Sequence, residues 1–233
     1  MSKVNLVWAT PNGEQLMAYM ARVSNPSNQN NEATAGKLIK YLIDNKHWSP
    51  LDMVDMCVEI ETTRDIARQI LRHKSFFFQE FSQRYADPVK ELSFSISDMR
   101  FQDLKNRQNS VTPEATIANA MLQDAWTAKQ IKLVELANET YQWAIENSVA
   151  KELARKVLPE GLTNSRMYMK GTIRSWIHYL QVRTDISTQK EHREVAEQCK
   201  ALLVTQYPSL KELFREQAMI NFRKVSDEIG EKL

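Results

Sequence analysis

With 233 residues, 42% of them hydrophobic, the chain can bury a core, which excludes global disorder and fits one domain over 1–233, helix-rich from about residue 113. A net charge of +2 is too balanced to mark a nucleic-acid binder, so local cation clusters matter more than the total. Cys57 and Cys199 form no CxxC pair and read as reduced, buried thiols, and His47, His73, His178 and His192 lack HxxxH or HExxH spacing, so no metal is expected. No signal-peptide stretch opens the chain, and no apolar run approaches the ~18 residues of a membrane span. A soluble, cytoplasmic protein without membrane or nucleic-acid partners is the expectation.

In chain order, Val4 to Ala9 reads as a strand and Gly13 to Val23 as an amphipathic helix that ends before Asn25-Pro26. Residues 27–34 form a polar loop, and Gly36 to Asn45 a helix carrying Leu38, Ile39, Tyr41 and Leu42 at helical spacing. The run MVDMCVEIE from Met53 alternates partially, as a half-buried strand does. Thr63 caps a helix through Ile66, Ala67, Ile70 and Leu71, on which Gln69 and Arg72 share a polar face. Phe76-Phe77-Phe78 opens an extended segment whose rings read as core or interface packing. The longest helical pattern runs from Pro113 to about Asn147, with Lys129 to Glu139 as a solvated face. Lys151 to Leu158 follows, broken by Pro159, then a possible strand at 166–169. Helices over 172–183, 189–207 and 209–221 complete an α+β pattern of antiparallel sheet and helices. No GxGxxG or P-loop occurs among the five glycines, which disfavours Rossmann and Walker nucleotide sites.

The densest chemistry lies in RHKSFFFQEFSQRY, where Arg72-His73-Lys74 precedes Ser82 by seven residues. If residues 79–85 are extended, Glu80, Ser82 and Arg84 share one side, and Phe81 and Tyr85 the other. An arginine fork and a hydroxyl suit a phosphate, and a carboxylate accepts sugar or base donors. A charged ribbon with a hydrophobic back fits the same local pattern equally well.

Wider motifs separate these readings. RHK-x7-S resembles the RHR-x7-S signature of the flavin-dependent thymidylate synthases. His47-Trp48-Ser49-Pro50 resembles the family's H-x-[ST]-P loop, ARQILRHK its ARQ-x-x-RHR lead-in, and Glu80 to Tyr85 its E-x-S-x-R-Y element. Arg107-Gln108-Asn109-Ser110 is similar to an RQ-[GN]-S element, and Arg155-x-x-Leu158-Pro159 to R-x-x-LP. Arg174-Ser175 with Tyr179-Leu180-x-x-Arg183 fits RS-x-x-x-[FY]-L-x-x-R. The likeness runs over roughly residues 10 to 200, with the motifs in the family's order.

The resemblance implies a homotetramer with shared sites that converts dUMP to dTMP. It further implies 5,10-methylenetetrahydrofolate as carbon donor, FAD as hydride carrier and NADPH as reductant. No cysteine nucleophile is then required. Ser49, Arg72, His73, Lys74 and Glu80 align with FAD-binding positions, as do Thr172, Ile173, Arg174 and His178 of a second element. His47 and Tyr85 match positions near the flavin and folate rings. Gln69, Arg72, Glu80, Phe81, Ser82, Gln83, Arg84, Arg155 and Arg183 align with dUMP-binding positions. Arg84 and Arg155 oppose the phosphate in that reading. Arg183, the catalytic candidate, matches the arginine that polarises the uracil near N3.

Several positions carry plainer readings. Arg155 fits a solvated helix cation, Arg183 a complement to a helix dipole, His178 a core histidine and His192 a surface one. The chain also departs from the family pattern. Lys74 replaces an arginine and loses the planar fork, Gln79 and Gln83 stand where asparagine and glycine are common, and Thr172 and His178 where asparagine is frequent. Two rival functions follow: a related flavoenzyme modifying another pyrimidine nucleotide, or a non-catalytic oligomer that binds nucleotide or flavin.

Overall fold

The computed structural model describes residues 2–215. Strand β1 (Lys3–Ala9) leads into α1 (Gly13–Ala21), and α2 (Ala35–Asp44) comes after two 3-10 turns at Pro26–Asn28 and Glu32–Thr34. Those turns replace the plain loop expected over 27–34. A further 3-10 turn at Ser49–Met53 precedes β2 (Asp55–Thr63), α3 (Arg64–Ile70) and β3 (Phe77–Glu80). Next come α4 (Pro88–Glu91), the short strands β4 (Phe101–Gln102) and β5 (Ser110–Val111), and the 30-residue helix α5 (Ile117–Glu146). After α6 (Lys151–Ala154) and a 3-10 turn at Arg155–Val157 lie β6 (Asn164–Thr172), α7 (Ile173–Arg183) and α8 (Lys190–Gln206). The helix expected over 209–221 begins as a 3-10 turn at Pro208–Leu210 and is helical through 215; residues 216–221 lie outside the described residues.

The α+β expectation holds: the antiparallel four-stranded sheet has the order β1-β2-β6-β3, and β4 pairs with β5 in a separate hairpin. Strand β6, nine residues long, is more than twice the length expected; its buried positions are Ser165, Met167, Met169 and Gly171, only two of which are large and apolar. Alternation with polar and glycine residues hid the strand from a hydropathy reading.

The chain divides into two compact units. The first comprises Met1–Lys3, Glu61–Arg72 and Gln79–Met167. In it, buried Tyr141, Ala144 and Ala154 pack with Val89, Ile145, Val149 and Leu158. Gln130 on α5 ties down the preceding segment, accepting from the Ser97 N–H at 3.0 Å and donating to its carbonyl at 2.9 Å. The solvated face expected over 129–139 is present, with Lys129, Lys132, Glu135 and Glu139 exposed; Ile131, Leu133 and Leu136 are exposed among them, while Gln130 and Ala137 are buried.

The second unit comprises Val4–Ile60, His73–Phe78 and Tyr168–Leu233. Its core holds buried Met56, Val58 and Ile60 of β2, Trp176, Ile177 and Leu180 of α7, and Val195, Cys199 and Leu203 of α8. Each such large side chain contributes about 1.5–3 kcal/mol by leaving water. The Trp176 indole N–H donates to the Met56 carbonyl at 3.0 Å, so its polar edge is satisfied inside the core. Phe76 lies close against Gly171, where any β-carbon would collide with its ring. The phenylalanine triplet therefore splits: Phe76 is core, while Phe77 is 73% exposed.

Candidate active site

In the first unit, α3 and the end of β3 converge on a carboxylate. Glu80 accepts from the Ser165 hydroxyl at 2.8 Å and pairs with Arg64 at 3.8 Å. Burial pulls the Arg64 pKa down, Glu80 works against that, and the nearby Arg68 and Arg155 cations add to the depression. Sequence reading passed over Arg64. Its signal was the pair Arg64 and Arg68, four apart on one helix, which repel unless carboxylates answer them. Glu80 answers the first and Glu160 the second.

The extended run expected over 79–85 does not form. Strand pairing continues only to the Phe81 N–H, which donates to the Arg166 carbonyl at 2.8 Å. The Ser82 carbonyl then accepts from both Tyr85 and Ala86 N–H at 3.1 Å, closing a turn. Glu80, Ser82 and Arg84 thus do not lie along one strand face. The turn buries Gln83, whose Nε2 has no hydrogen-bond partner, and leaves Tyr85 83% exposed. Polar residues at a strand end bend as readily as they extend, since no apolar partner holds the alternation. Arg84 reaches Glu152 on α6 at 3.5 Å, and Lys151 donates to the Tyr85 carbonyl at 2.9 Å. Arg155, half-buried, begins the 3-10 turn directly after that helix. Gln69 is half-buried on α3 and Arg72 is exposed beyond its end.

Thr63 occupies the N-cap position of α3 without capping it; its hydroxyl bonds the Asp65 carboxylate instead. Thr172 does cap, accepting from the Ser175 N–H at 3.2 Å.

In the second unit, the His47–Pro50 loop is stitched to the start of α7. Asp52 accepts from the Thr172 hydroxyl and pairs with Arg174, both at 3.0 Å. The Trp48 and His178 rings meet edge to face at 4.6 Å. Partial burial lowers the His178 pKa, Arg174 lowers it further and Asp52 opposes. His178 is exposed overall, not the core histidine its apolar neighbours allowed, because α7 turns Ile177 and Tyr179 inward on either side. Ser49 and His47 are exposed on the same loop, and Ile173 is buried.

At the other end of α7, Arg183 Nε donates to His73 Nε2 at 3.0 Å. Tyr179 stands edge-on to His73 at 4.8 Å. His192, expected at the surface, is fully buried, and its Nε2 lies 3.1 Å from the Tyr179 hydroxyl. Burial first, then the Arg183 and His73 charges, push its pKa down to about 3. The surface expectation failed because charged neighbours on α8 mask an inward-facing position. Lys74 is exposed beside His73. Arg183 therefore stands in the second unit with Ser49, His73, Lys74, Thr172, Ile173, Arg174 and His178, while Gln69, Arg72, Glu80, Ser82, Arg84 and Arg155 belong to the first.

No helix among the described residues is long and apolar enough to cross a membrane. Both cysteines are free and buried.

The family model described as "Thymidylate synthase complementing protein" matches residues 5–209. A probable flavin-dependent thymidylate synthase of Paramecium bursaria Chlorella virus 1 is 47% identical over 84% of this chain and 88% of its own length. The flavin-dependent thymidylate synthase of Synechocystis sp. is 44% identical over 84% of this chain and 87% of its own. Among solved structures, a UMP/dUMP methylase PolB of Streptomyces cacaoi bound with 5-Br UMP superposes with a TM-score of 0.79. It is 24% identical and covers 93% of this chain and 95% of its own, a likeness of fold. The motifs from His47 to Arg183, the family match and the extent of these identities converge: the chain belongs to the flavin-dependent thymidylate synthase family.

Proposed function

We propose that the chain is a flavin-dependent thymidylate synthase that methylates dUMP to dTMP, with 5,10-methylenetetrahydrofolate as carbon donor and NADPH as reductant. The observation that carries this reading is the identity of 47% and 44% to synthases over most of the chain, with Glu80, Ser82, Arg84, Arg155 and Arg183 all present. FAD, when bound, supplies the hydride for the transferred carbon.

The donor set fits that cofactor. Arg72, Lys74 and Arg174 offer cations for a pyrophosphate, Ser49 a hydroxyl, and the Trp48–His178 pair a flat edge for a ring system. Asp52 orients Arg174 and Thr172 at the start of α7, with Ile173 behind them in the core. His73 and Glu80 complete the FAD contacts in this reading, with His47 and Tyr85 beside the flavin and folate rings.

For the nucleotide, Arg84 and Arg155 bind the phosphate, while Gln69, Arg72, Glu80, Ser82 and the backbone at Phe81 and Gln83 hold the sugar and orient the base. Glu152 on α6 pairs with the exposed Arg84 guanidinium at 3.5 Å. Arg183 offers a permanent cation where the uracil gains negative charge, which lowers the barrier to attack from C5. Its Nε bond to His73 leaves both Nη groups for the base.

The family match, which runs over residues 5–209, supports treating 1–233 as one domain. Helix α5 exposes Met121, Trp126, Leu136 and Trp143, a surface suited to the homotetramer proposed here. Two free thiols suit the cytoplasm.

An anaerobic assay with dUMP, methylenetetrahydrofolate, NADPH and added FAD tests the reading. A yellow protein that forms dTMP supports it. Flavin oxidation with a different nucleotide product supports the pyrimidine-modifying rival, and neither flavin binding nor turnover supports the non-catalytic one.

A further inference from the structure

Behind the Arg183–His73 contact lies a hydrogen-bonded pair to which the motifs give no role. The Tyr179 position in the RS-x-x-x-[FY]-L-x-x-R element accepts phenylalanine, so the ring is required there and the hydroxyl is not. Here the hydroxyl has a dedicated partner, His192 of α8, at 3.1 Å. Both residues are buried, Tyr179 at 2% exposure and His192 at 0%. A polar pair so far from water is costly unless each group satisfies the other.

The surrounding rings leave the pair little freedom. Phe76 and Trp176 lie 5.7 Å and 5.9 Å from Tyr179, and Phe76 is itself seated on Gly171. His73 meets Tyr179 at 88° and His192 at 82°, with centroids 4.8 Å and 6.2 Å away. Two ring edges therefore fix the tilt of the His73 imidazole. Its Nε2 faces Arg183, whose Nε–H can only donate, so that nitrogen presents its lone pair and the ring proton resides on Nδ1. A tilt of His73 would break this bond and release the guanidinium plane.

Resting on the function proposed above, we propose that Tyr179 and His192 are positioning residues: their hydroxyl–imidazole bond locks the Tyr179 ring, which holds His73 at the angle that orients Arg183 toward the nucleotide. Charge supports the arrangement. Burial, with Arg183 and His73 nearby, keeps His192 neutral at ordinary pH, and burial drives the Tyr179 phenol well above its usual range, beside Cys199 and Arg183. A neutral bracket does not compete with the nucleotide for the Arg183 cation.

The test compares Tyr179→Phe, which keeps the ring and the motif, with His192→Leu and with His192→Asn, whose amide can still bond the hydroxyl. We expect Tyr179→Phe and His192→Leu each to lower kcat on the order of 10- to 100-fold, with dUMP KM and FAD content little changed and a fall in melting temperature that does not track the loss of kcat, while His192→Asn stays near wild type. In ligand-free protein, imidazole 15N shifts should report His73 protonated on Nδ1 in the wild type and a mixture of tautomers in Tyr179→Phe. A Tyr179→Phe protein with wild-type kcat and an unchanged His73 tautomer would overturn the proposal. So would a kcat that merely tracks melting temperature across all three variants. A wild type that makes no dTMP sinks the synthase reading instead, and the 15N comparison still decides whether the bracket holds His73.

Discussion

Around Glu80 the chain answers charge with charge, whereas around His73 it packs imidazole, phenol and indole rings against one another. In the first, Arg68 and Arg155 lie near enough to Arg64 to depress its pKa and Glu80 opposes them, while Arg84 pairs separately with Glu152, an arrangement that suits the phosphate grip proposed above. The second suits orientation, because close-packed rings resist rotation without adding charge near the base. Binding by ions tolerates small displacements, since Coulomb attraction falls off slowly. Polarising one atom of a base does not.

The largest effect that could break this comparison comes from Arg183, a cation set against the His73 ring. Arg183→Ala should lower kcat about 100- to 1000-fold while FAD content stays near wild type. Equal loss of both would mean that Arg183 serves the cofactor, and the division of labour would fail. Gly171→Ala drives a methyl into Phe76 and should cost about 1–3 kcal/mol in denaturant unfolding, with loss of the near-UV aromatic signal. An unchanged midpoint would mean that the ring cluster yields easily.

Glu80→Ala leaves Arg64, whose side chain is 16% exposed, facing Arg68 and Arg155 without its carboxylate; we expect a loss of about 2 kcal/mol that shrinks as salt is raised. A loss indifferent to salt would mean that the Ser165 hydrogen bond, not charge, holds this cluster.

The His192 shift adds a pH dependence to the ring cluster. Its ordinary pKa of 6.5 falls to about 3 in the fold, chiefly through burial and then through Arg183 and His73. The unfolded chain therefore takes up a proton below 6.5 that the folded one refuses. This contribution is fully present above pH 6.5 and declines by up to about 1.4 kcal/mol per pH unit as pH falls toward 3. His192→Leu should flatten that slope in urea titrations between pH 4 and 6. An unaltered slope would assign the acid sensitivity elsewhere. The smallest effect belongs to Asp52→Asn, which weakens a partly exposed pair with Arg174 and should cost under about 1 kcal/mol of stability. Its clearer readout is weaker FAD binding from a less ordered Arg174.

Much of the fold could be read in advance, and the reasons are local. Helices α2, α7 and α8 repeat apolar residues at helical spacing, and β2 alternates, so each announces itself. Elements whose stability is not local escaped notice. The hairpin of β4 and β5 has two residues in each strand and no apolar pattern. The turn after Glu80 depends on carbonyl and hydroxyl geometry at Ser82 that extended and bent chains share in sequence.

The family was legible in the sequence itself, from the His47 loop through Arg72-His73-Lys74 and Ser82 to Arg183, since residue types at fixed spacing are what a motif records. Which groups face one another was decided only by tertiary structure. Arg64 met Glu80, Asp52 met Arg174, and His192 turned inward to Tyr179, because each partner is supplied from a distant part of the chain that no local spacing encodes.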